Sequence, residues 1–488
     1  MALVGASVGS TLALGGPTTR GTASIDCHLK RSTPRRIVVA VTRVLALDIG
    51  TSSVRTILFD ERGREVENTF AQLPITHRRQ GEIDAERLLD ATLSVTERAR
   101  SAGTASTSAI SAFWHSLVAV DDELRPLMPV QTWEDIRATP QAKRLATELD
   151  PDAVHARTGC ALHPSYWPAK LAWLAEERPE VFAQTKWFVS FPDLVFHRLT
   201  GVLGISISMA SGTGLLDGQG LSWDHELLDA IGVSADRLPP LLEHGEAHAG
   251  WFPPVGDGAC SNIGAGCVTR DRAALMIGTS GAYRIGYEPD GTPIRSGLFR
   301  YYVDERRIVD GGALSDGGNL RTWLLQTLRL DETAVLGEPD SHGLTFLALF
   351  GGERSPGWRG LARGTIDGLT FETTPEQIFQ AALESVAYRF AEIVELIPGV
   401  KEIVATGGAL RAQPGWTQIL ADVLGRPLMP SAVRETSARG AAVLALERLG
   451  FVADEAPTGE AVGPRGEVTE IYRAARERQR RLYENQVA

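Results

Sequence analysis

The sequence predicts an α/β chain in which one domain plan occurs twice, and three observations carry that reading. The tetrapeptide Ile-Gly-Thr-Ser stands at 49–52 and again at 277–280, 228 residues apart, about half the length of the 488-residue chain. At each place it joins two β-rich apolar runs, 44–50 to 54–60 and 273–277 to 281–287, so both read as hairpins closed by small residues. A third β-rich run, 401–406, leads through Gly407-Gly408 to a segment in which Trp416, Ile419, Leu420, Val423 and Leu424 recur at helical spacing behind Pro414.

Composition supports two or three domains with real cores. Hydrophobic residues make up 43% and charged residues 22%, which excludes a disordered chain. No uncharged apolar run reaches the roughly 18 residues of a membrane span, so no membrane partner is expected. Lys+Arg is 49 against Asp+Glu 60, a net charge of −11, and the basic face of a nucleic-acid binder is missing. The four cysteines, Cys27, Cys160, Cys260 and Cys267, are too few and too irregular for a disulfide framework or a paired zinc site. A reducing cytoplasm is the expected location. No lysine follows a glycine, so there is no Walker A loop, and no Gly-x-Gly-x-x-Gly fingerprint occurs. Residues 1–43 carry six cations against one acid. They read as a disordered leader or a start codon placed too far upstream, with a targeting segment as the alternative.

Small turns leave backbone N–H groups and hydroxyls free to converge on an anion. Two such turns at matching points of two halves can grip one polyphosphate, and Asp48, at the end of the first strand, can hold Mg²⁺ through water. Arg55 adds positive charge there or forms a surface ion pair. The pair Gly407-Gly408 lets a nucleotide pass close to the backbone. Asp257 stands between Gly256 and Gly258, where an isolated carboxylate either stabilises the turn or accepts a proton. In the cluster 133–137, Asp135 and Arg137 either hydrogen-bond a polyol, with Arg137 able to pair with a substrate carboxylate, or pair with each other and shape the loop.

These three turns in this order, with Gly256-Asp257-Gly258, resemble the FGGY carbohydrate kinases of the sugar kinase, Hsp70 and actin superfamily. The resemblance runs from 44 to 449. It takes in Trp133-Glu134-Asp135-Ile136-Arg137, Thr158-Gly159, Tyr166-Trp167-Pro168-Ala169-Lys170, Gly352-Glu353-Arg354-Ser355-Pro356 and Gly364-Thr365-Ile366-Asp367-Gly368-Leu369. Within the family, 256–285 and Trp114-His115-Ser116 are most similar to the gluconokinase branch.

The resemblance implies two actin-like (ribonuclease H-like) domains with an ATP/sugar cleft between them, a sugar-binding domain at 44–267 and a nucleotide-binding domain at 268–488. ATP and Mg²⁺ are then the cofactors. Asp257 becomes the general base and Asp48 the metal-side acid. Thr51, Ser52, Gly278, Thr279, Gly407 and Gly408 would hold the nucleotide, and Trp114, His115, Asp135, Arg137 and Tyr166 the sugar. The implied activity is transfer of the γ-phosphoryl group to a sugar acid, gluconate above all. A xylulokinase-like ketopentose kinase and a non-catalytic sugar sensor are the alternatives, and a homodimer is compatible with the sequence. Three positions depart from the members' usual residues: Trp114 stands where many have Met, Asp316 where Asn is common, and Gln413 where Ser is common. Residues 464–487 read as a closing helix whose charge is a solvated face.

Overall fold

The computed structural model describes residues 42–79, 81–332 and 334–487. The leader expected at 1–43 lies outside the described residues as far as 41, and Arg43 already belongs to strand β1 (Arg43–Ile49). That strand pairs antiparallel with β2 (Ser53–Asp60), Asp48 facing Arg55 and Ile49 facing Val54. Both strands are rich in Val, Ile, Leu and Phe, and such residues suit a pleated surface covered on both faces. β3 (Ala71–Pro74) continues the ladder beyond β2, while β4 (Thr107–Ala112) and β5 (Val255–Gly256) add in parallel beyond β1. The sheet order is therefore β5-β4-β1-β2-β3.

The second sheet repeats the plan. β6 (Arg272–Ile277) and β7 (Gly281–Tyr287) form its hairpin, and β8 (Phe299–Tyr302) and β9 (Ile308–Leu314) lie on the β7 side. On the other side β10 (Glu402–Thr406) and β11 (Met429–Pro430) pair in parallel, giving β8-β9-β7-β6-β10-β11. The duplication read from four residues thus extends to strand order and direction.

Helices cover the outer faces. α1 (Ala85–Ala102), capped by the Asp84 side chain, buries Leu88, Leu89 and Val95 against the first sheet. α2 (Asp257–Gly264) follows β5 directly and α3 (Gly318–Thr327) follows β9. α4 (Pro375–Leu396) starts at a Thr374/Gln377 capping box and packs on the second sheet with α5 (Pro414–Leu424). α6 (Thr436–Arg448) and α7 (Gly466–Val487) complete the chain. The closing helix has more than a solvated face, because Tyr472, Ala475 and Gln479 are buried on it.

One feature was illegible from linear order. α6 follows the outermost strand of the second sheet but packs on α2, β4 and β1 of the first. Its Ala- and Leu-rich face shares one hydrophobic cluster with Val44 and Ala46 on one side and Ala282 and Val309 on the other. A partition cut at 268 is therefore crossed by this helix. The crossing depends on glycine: a Cβ on Gly440 would lie 1.8 Å from the Cys260 carbonyl oxygen, and one on Gly264 would lie 1.9 Å from that of Thr436. Cys160, Cys260 and Cys267 are buried and free. Among the described residues no helix is long and apolar enough to cross a membrane.

Candidate active site

The two hairpin turns, the N-termini of α2 and α6 and the Gly407-Gly408 turn face one cavity of about 230 Å³. In the first turn Gly50 N–H donates to the Ser53 carbonyl, and in the second Gly278 N–H donates to Ser280, both at 3.0 Å. The start of α3 fixes the second turn, through Gly318 N–H to Gly278 O and Asn319 N–H to Thr279 O, each 2.9 Å. Gly407 has φ 107°, and a Cβ there would lie 2.2 Å from the Ile277 carbonyl oxygen. Only glycine brings the end of β10 against the base of the second turn. Thr51, Ser52, Gly278, Thr279, Gly407 and Gly408 thereby line the same cavity as Asp48. Asp48 is buried, its Oδ2 accepting from Arg55 Nη1 at 2.9 Å and its Oδ1 from Ser111 Oγ at 2.8 Å. Each carboxylate oxygen has two lone pairs, so one on each is left for a hydrated cation. Arg55 also stands 3.8 Å from Glu435, and Arg411 and Arg434 add positive charge on this side.

Asp257 does not sit on a free turn. It is the first residue of α2, with Gly256 as the N-cap, and its Oδ1 accepts from Gly258 N–H at 2.7 Å. Its carboxyl is pushed up to about 6, chiefly by burial and also by the charge of Asp48, against the opposing pull of Arg284 and Arg354. The start of α6 meets it here: Ser437 Oγ donates to the Asp257 carbonyl at 3.3 Å, and the hydroxyls of Ser261 and Thr436 are 3.1 Å apart. Two helix N-termini, each the positive end of a dipole, therefore converge on one cavity.

Trp114 and His115 line the same cavity, with the Trp114 ring against the start of α2. His115 has a left-handed backbone, φ 67°, unusual for a non-glycine residue and consistent with a functional constraint. Its Nδ1 donates to Gly212 O at 2.5 Å and its Nε2 accepts from Arg354 Nη2 at 3.3 Å, so the ring is neutral. Burial, then the Arg354 charge, holds the imidazole well below its usual range. Lys170 Nζ donates to the carbonyls of His115 and Thr132 at 2.7 and 2.8 Å, and burial brings its ammonium down to about 7. Trp114 is accommodated by three glycines: a Cβ on Gly212, Gly256 or Gly258 would come within 2.3, 1.8 or 2.6 Å of its ring. Its Nε1–H donates to Ser208 O at 2.9 Å.

Three expected sugar contacts do not line the cavity. Tyr166 lies behind the wall, its hydroxyl 2.6 Å from that of Tyr301, and Tyr301 is the residue that faces inward. Arg137 donates from Nε to Asp135 at 2.8 Å, also reaches Glu82, and lies over the Trp173 ring at 4.5 Å. Of the two readings of this cluster, the structure displays the internal pair that shapes the loop. Asp316 is buried away from the cavity, accepts from Gly351 N–H at 3.3 Å, and is pushed up to about 7 by burial.

Sequence reasoning missed Arg284, Arg354, Trp133, Tyr301 and the start of α6. Arg284 had a signal, a charge inside the otherwise apolar strand β7, and Arg354 lay in a quoted motif without a role. The loop bearing Arg354 is held by its neighbour: buried Glu353 pairs with Arg389 of α4 and accepts from Tyr483 of α7 at 2.9 and 2.8 Å. Thr158-Gly159 docks the edge strand β8, where Arg300 N–H donates to Gly159 O at 2.9 Å.

The sequence pattern of the FGGY family of carbohydrate kinases matches over its N-terminal domain at 43–255 and its C-terminal domain at 273–447. The gluconokinase of Bacillus subtilis (strain 168) is 29% identical, aligned over 89% of this chain and 93% of its own. The xylulose kinase of the same organism is 27% identical over 82% and 87%. The crystal structure of gluconate kinase from Lactobacillus acidophilus superposes with a TM-score of 0.81 at 24% identity, covering 92% of this chain and 99% of that one.

Proposed function

The chain belongs to the FGGY family of carbohydrate kinases, phosphotransferases with an alcohol group as acceptor, and we propose that it transfers the γ-phosphoryl group of ATP to a hydroxyl of a sugar acid, gluconate to 6-phosphogluconate. The observation that carries this reading is the position of Asp257. Its carboxylate lines the cavity together with both small turns, Trp114 and His115, and among the described residues it accepts only from Gly258 N–H. An acceptor hydroxyl seated there meets a base at the place where the two helix N-termini converge.

ATP, when bound, supplies the phosphoryl group, and Mg²⁺ offsets the charge of its oxygens. The residues fit both. Thr51, Ser52, Gly278 and Thr279 offer small turns, Gly407 and Gly408 an unobstructed backbone, and Arg55, Arg411 and Arg434 positive charge. Asp48 would hold the hydrated cation through its remaining lone pairs. Asp257 accepts the hydroxyl proton, which requires it deprotonated, and because burial favours the neutral acid it is so only above about pH 6. His115 and Trp114 orient the acceptor chain.

Gluconate is favoured by the likeness of 256–285 and by the gluconokinase relatives. A ketopentose such as xylulose is the second reading, favoured by the nearly equal likeness to a xylulose kinase. A coupled ADP-release screen over aldonates, ketoses and polyols tests the choice. The expected result is the highest kcat/KM with gluconate, and turnover of xylulose with none of gluconate would overturn it.

A further inference from the structure

The acceptor wall contains more positive charge than the reaction at Asp257 uses. Arg284, on β7, is 6% exposed, and its Nε and Nη1 have no hydrogen-bond partner. Arg354, 7% exposed, spends one nitrogen on neutral His115 and leaves Nε unpaired. Among the described residues neither guanidinium has a carboxylate within 4.0 Å, whereas Arg55, on the phosphate side, is ion-paired with Asp48 and Arg434 stands 3.7 Å from Glu435. A guanidinium withdrawn from water with open N–H groups is an unfavourable state that an incoming anion relieves.

Arg284 is also held in place. Its Cγ fills the space above Gly311, where a Cβ would lie 2.8 Å away, and its Cζ fills that above Gly258, where the distance would be 2.9 Å. Asn262 Nδ2 donates to its carbonyl at 3.2 Å. The Arg354 head is set by the Trp133 ring at 5.3 Å and by the buried Glu353–Arg389 pair beside it. Two rigid, unsatisfied cations thus face the wall of Trp114, His115 and Tyr301, with Asp257 as one opposing charge. Arginine offers paired N–H donors suited to a carboxylate.

We infer that Arg284, with Arg354 as the second donor, forms a carboxylate-binding subsite that selects sugar acids over neutral ketoses and polyols. The inference rests on the sugar-acid reading above. It assigns to these two residues the role that the sequence offered to Arg137, which the structure shows already paired with Asp135 and Glu82.

The test compares gluconate with gluconamide, the same chain with an uncharged end, in the full-length protein and in Arg284→Met, Arg284→Lys and Arg354→Met. The wild type should prefer gluconate in kcat/KM by about 10²-fold, as expected for two charge-assisted hydrogen bonds. Arg284→Met should bring that ratio close to one, Arg284→Lys should keep part of it, and Arg354→Met should lose a smaller part. Equal loss on both acceptors in Arg284→Met would overturn the subsite and make Arg284 a phosphoryl-side group. If Arg284→Met does not fold, the ratios in Arg284→Lys and Arg354→Met decide, and an unchanged ratio in both rejects the proposal. A wild type that phosphorylates xylulose and neither gluconate nor gluconamide would instead reject the sugar-acid reading itself.

Discussion

The hairpin β1–β2 and the hairpin β6–β7 share a turn sequence, an antiparallel ladder and a parallel strand on the same side, yet their charges differ. Asp48 faces Arg55 in the first, and Met276 faces Ala282 at the matching place in the second. The second turn is also one residue tighter, since Ile277 faces Gly281 where Ile49 faces Val54. The buried cation of the second hairpin is Arg284, two residues farther along the strand and so on the same face as Ala282. Duplication supplied two turns of similar shape, and the chemistry lies in the side chains that are not repeated. The helices that follow the outer parallel strands differ in the same way, α2 opening with Asp257 and α6 with Thr436 and Ser437.

Within the two hairpins, breaking the asymmetry should have its largest effect at Asp48. Asp48→Asn is expected to lower activity at fixed Mg²⁺ by roughly 10–100-fold, the range for a group acting on a metal through its outer sphere, with partial recovery at high Mg²⁺. Met276→Ala should stay within a few-fold. Equal losses in Mg²⁺ titrations of the two variants would erase the distinction between the hairpins.

Acid should act next. Asp257 is protonated below about pH 6 and cannot then accept a proton, so kcat/KM at pH 5 should be about one tenth of its plateau above pH 7. A profile flat between pH 5 and pH 7 would place the required base elsewhere.

The crossing of α2 and α6 is sharpened by stability rather than rate. Gly440→Ala pushes a methyl into the Cys260 carbonyl and should destabilise by about 1–3 kcal/mol in denaturant titration. Gly463→Ala, with open space around it, should leave the midpoint unchanged. A smaller loss than at Gly440 is expected at Tyr483→Phe, which removes the hydroxyl from Glu353 at a cost of about 1 kcal/mol.

Both hairpins, the strand before Gly407 and the α5 helix were legible because apolar period and turn residues are local signals. The position of α6 on the first sheet was not, since nothing in the order of residues states which sheet an Ala-rich helix covers. Asp257 was legible as a residue and not as a helix start, because Gly-Asp-Gly reads as a turn until the N-terminal position is seen. Arg137 misled for a related reason. Its partners Asp135 and Glu82 are two and 55 residues away, and the latter contact has no local signature. Trp114 read only as a departure, and the three glycines that admit its ring are scattered from 212 to 258.

The proposed phosphoryl transfer needs the carboxylate at the start of α2, and Asp257→Asn tests that role most directly. Asn keeps the shape of the side chain and can still accept from Gly258 N–H, but it cannot take up the hydroxyl proton. With gluconate as acceptor, kcat should fall by roughly 10²–10⁴-fold while calorimetric affinities for ATP and gluconate and the melting temperature are retained. A kcat within a few-fold of the parent would contradict the assignment of Asp257 as the base, and with it the account of how this cavity transfers a phosphoryl group.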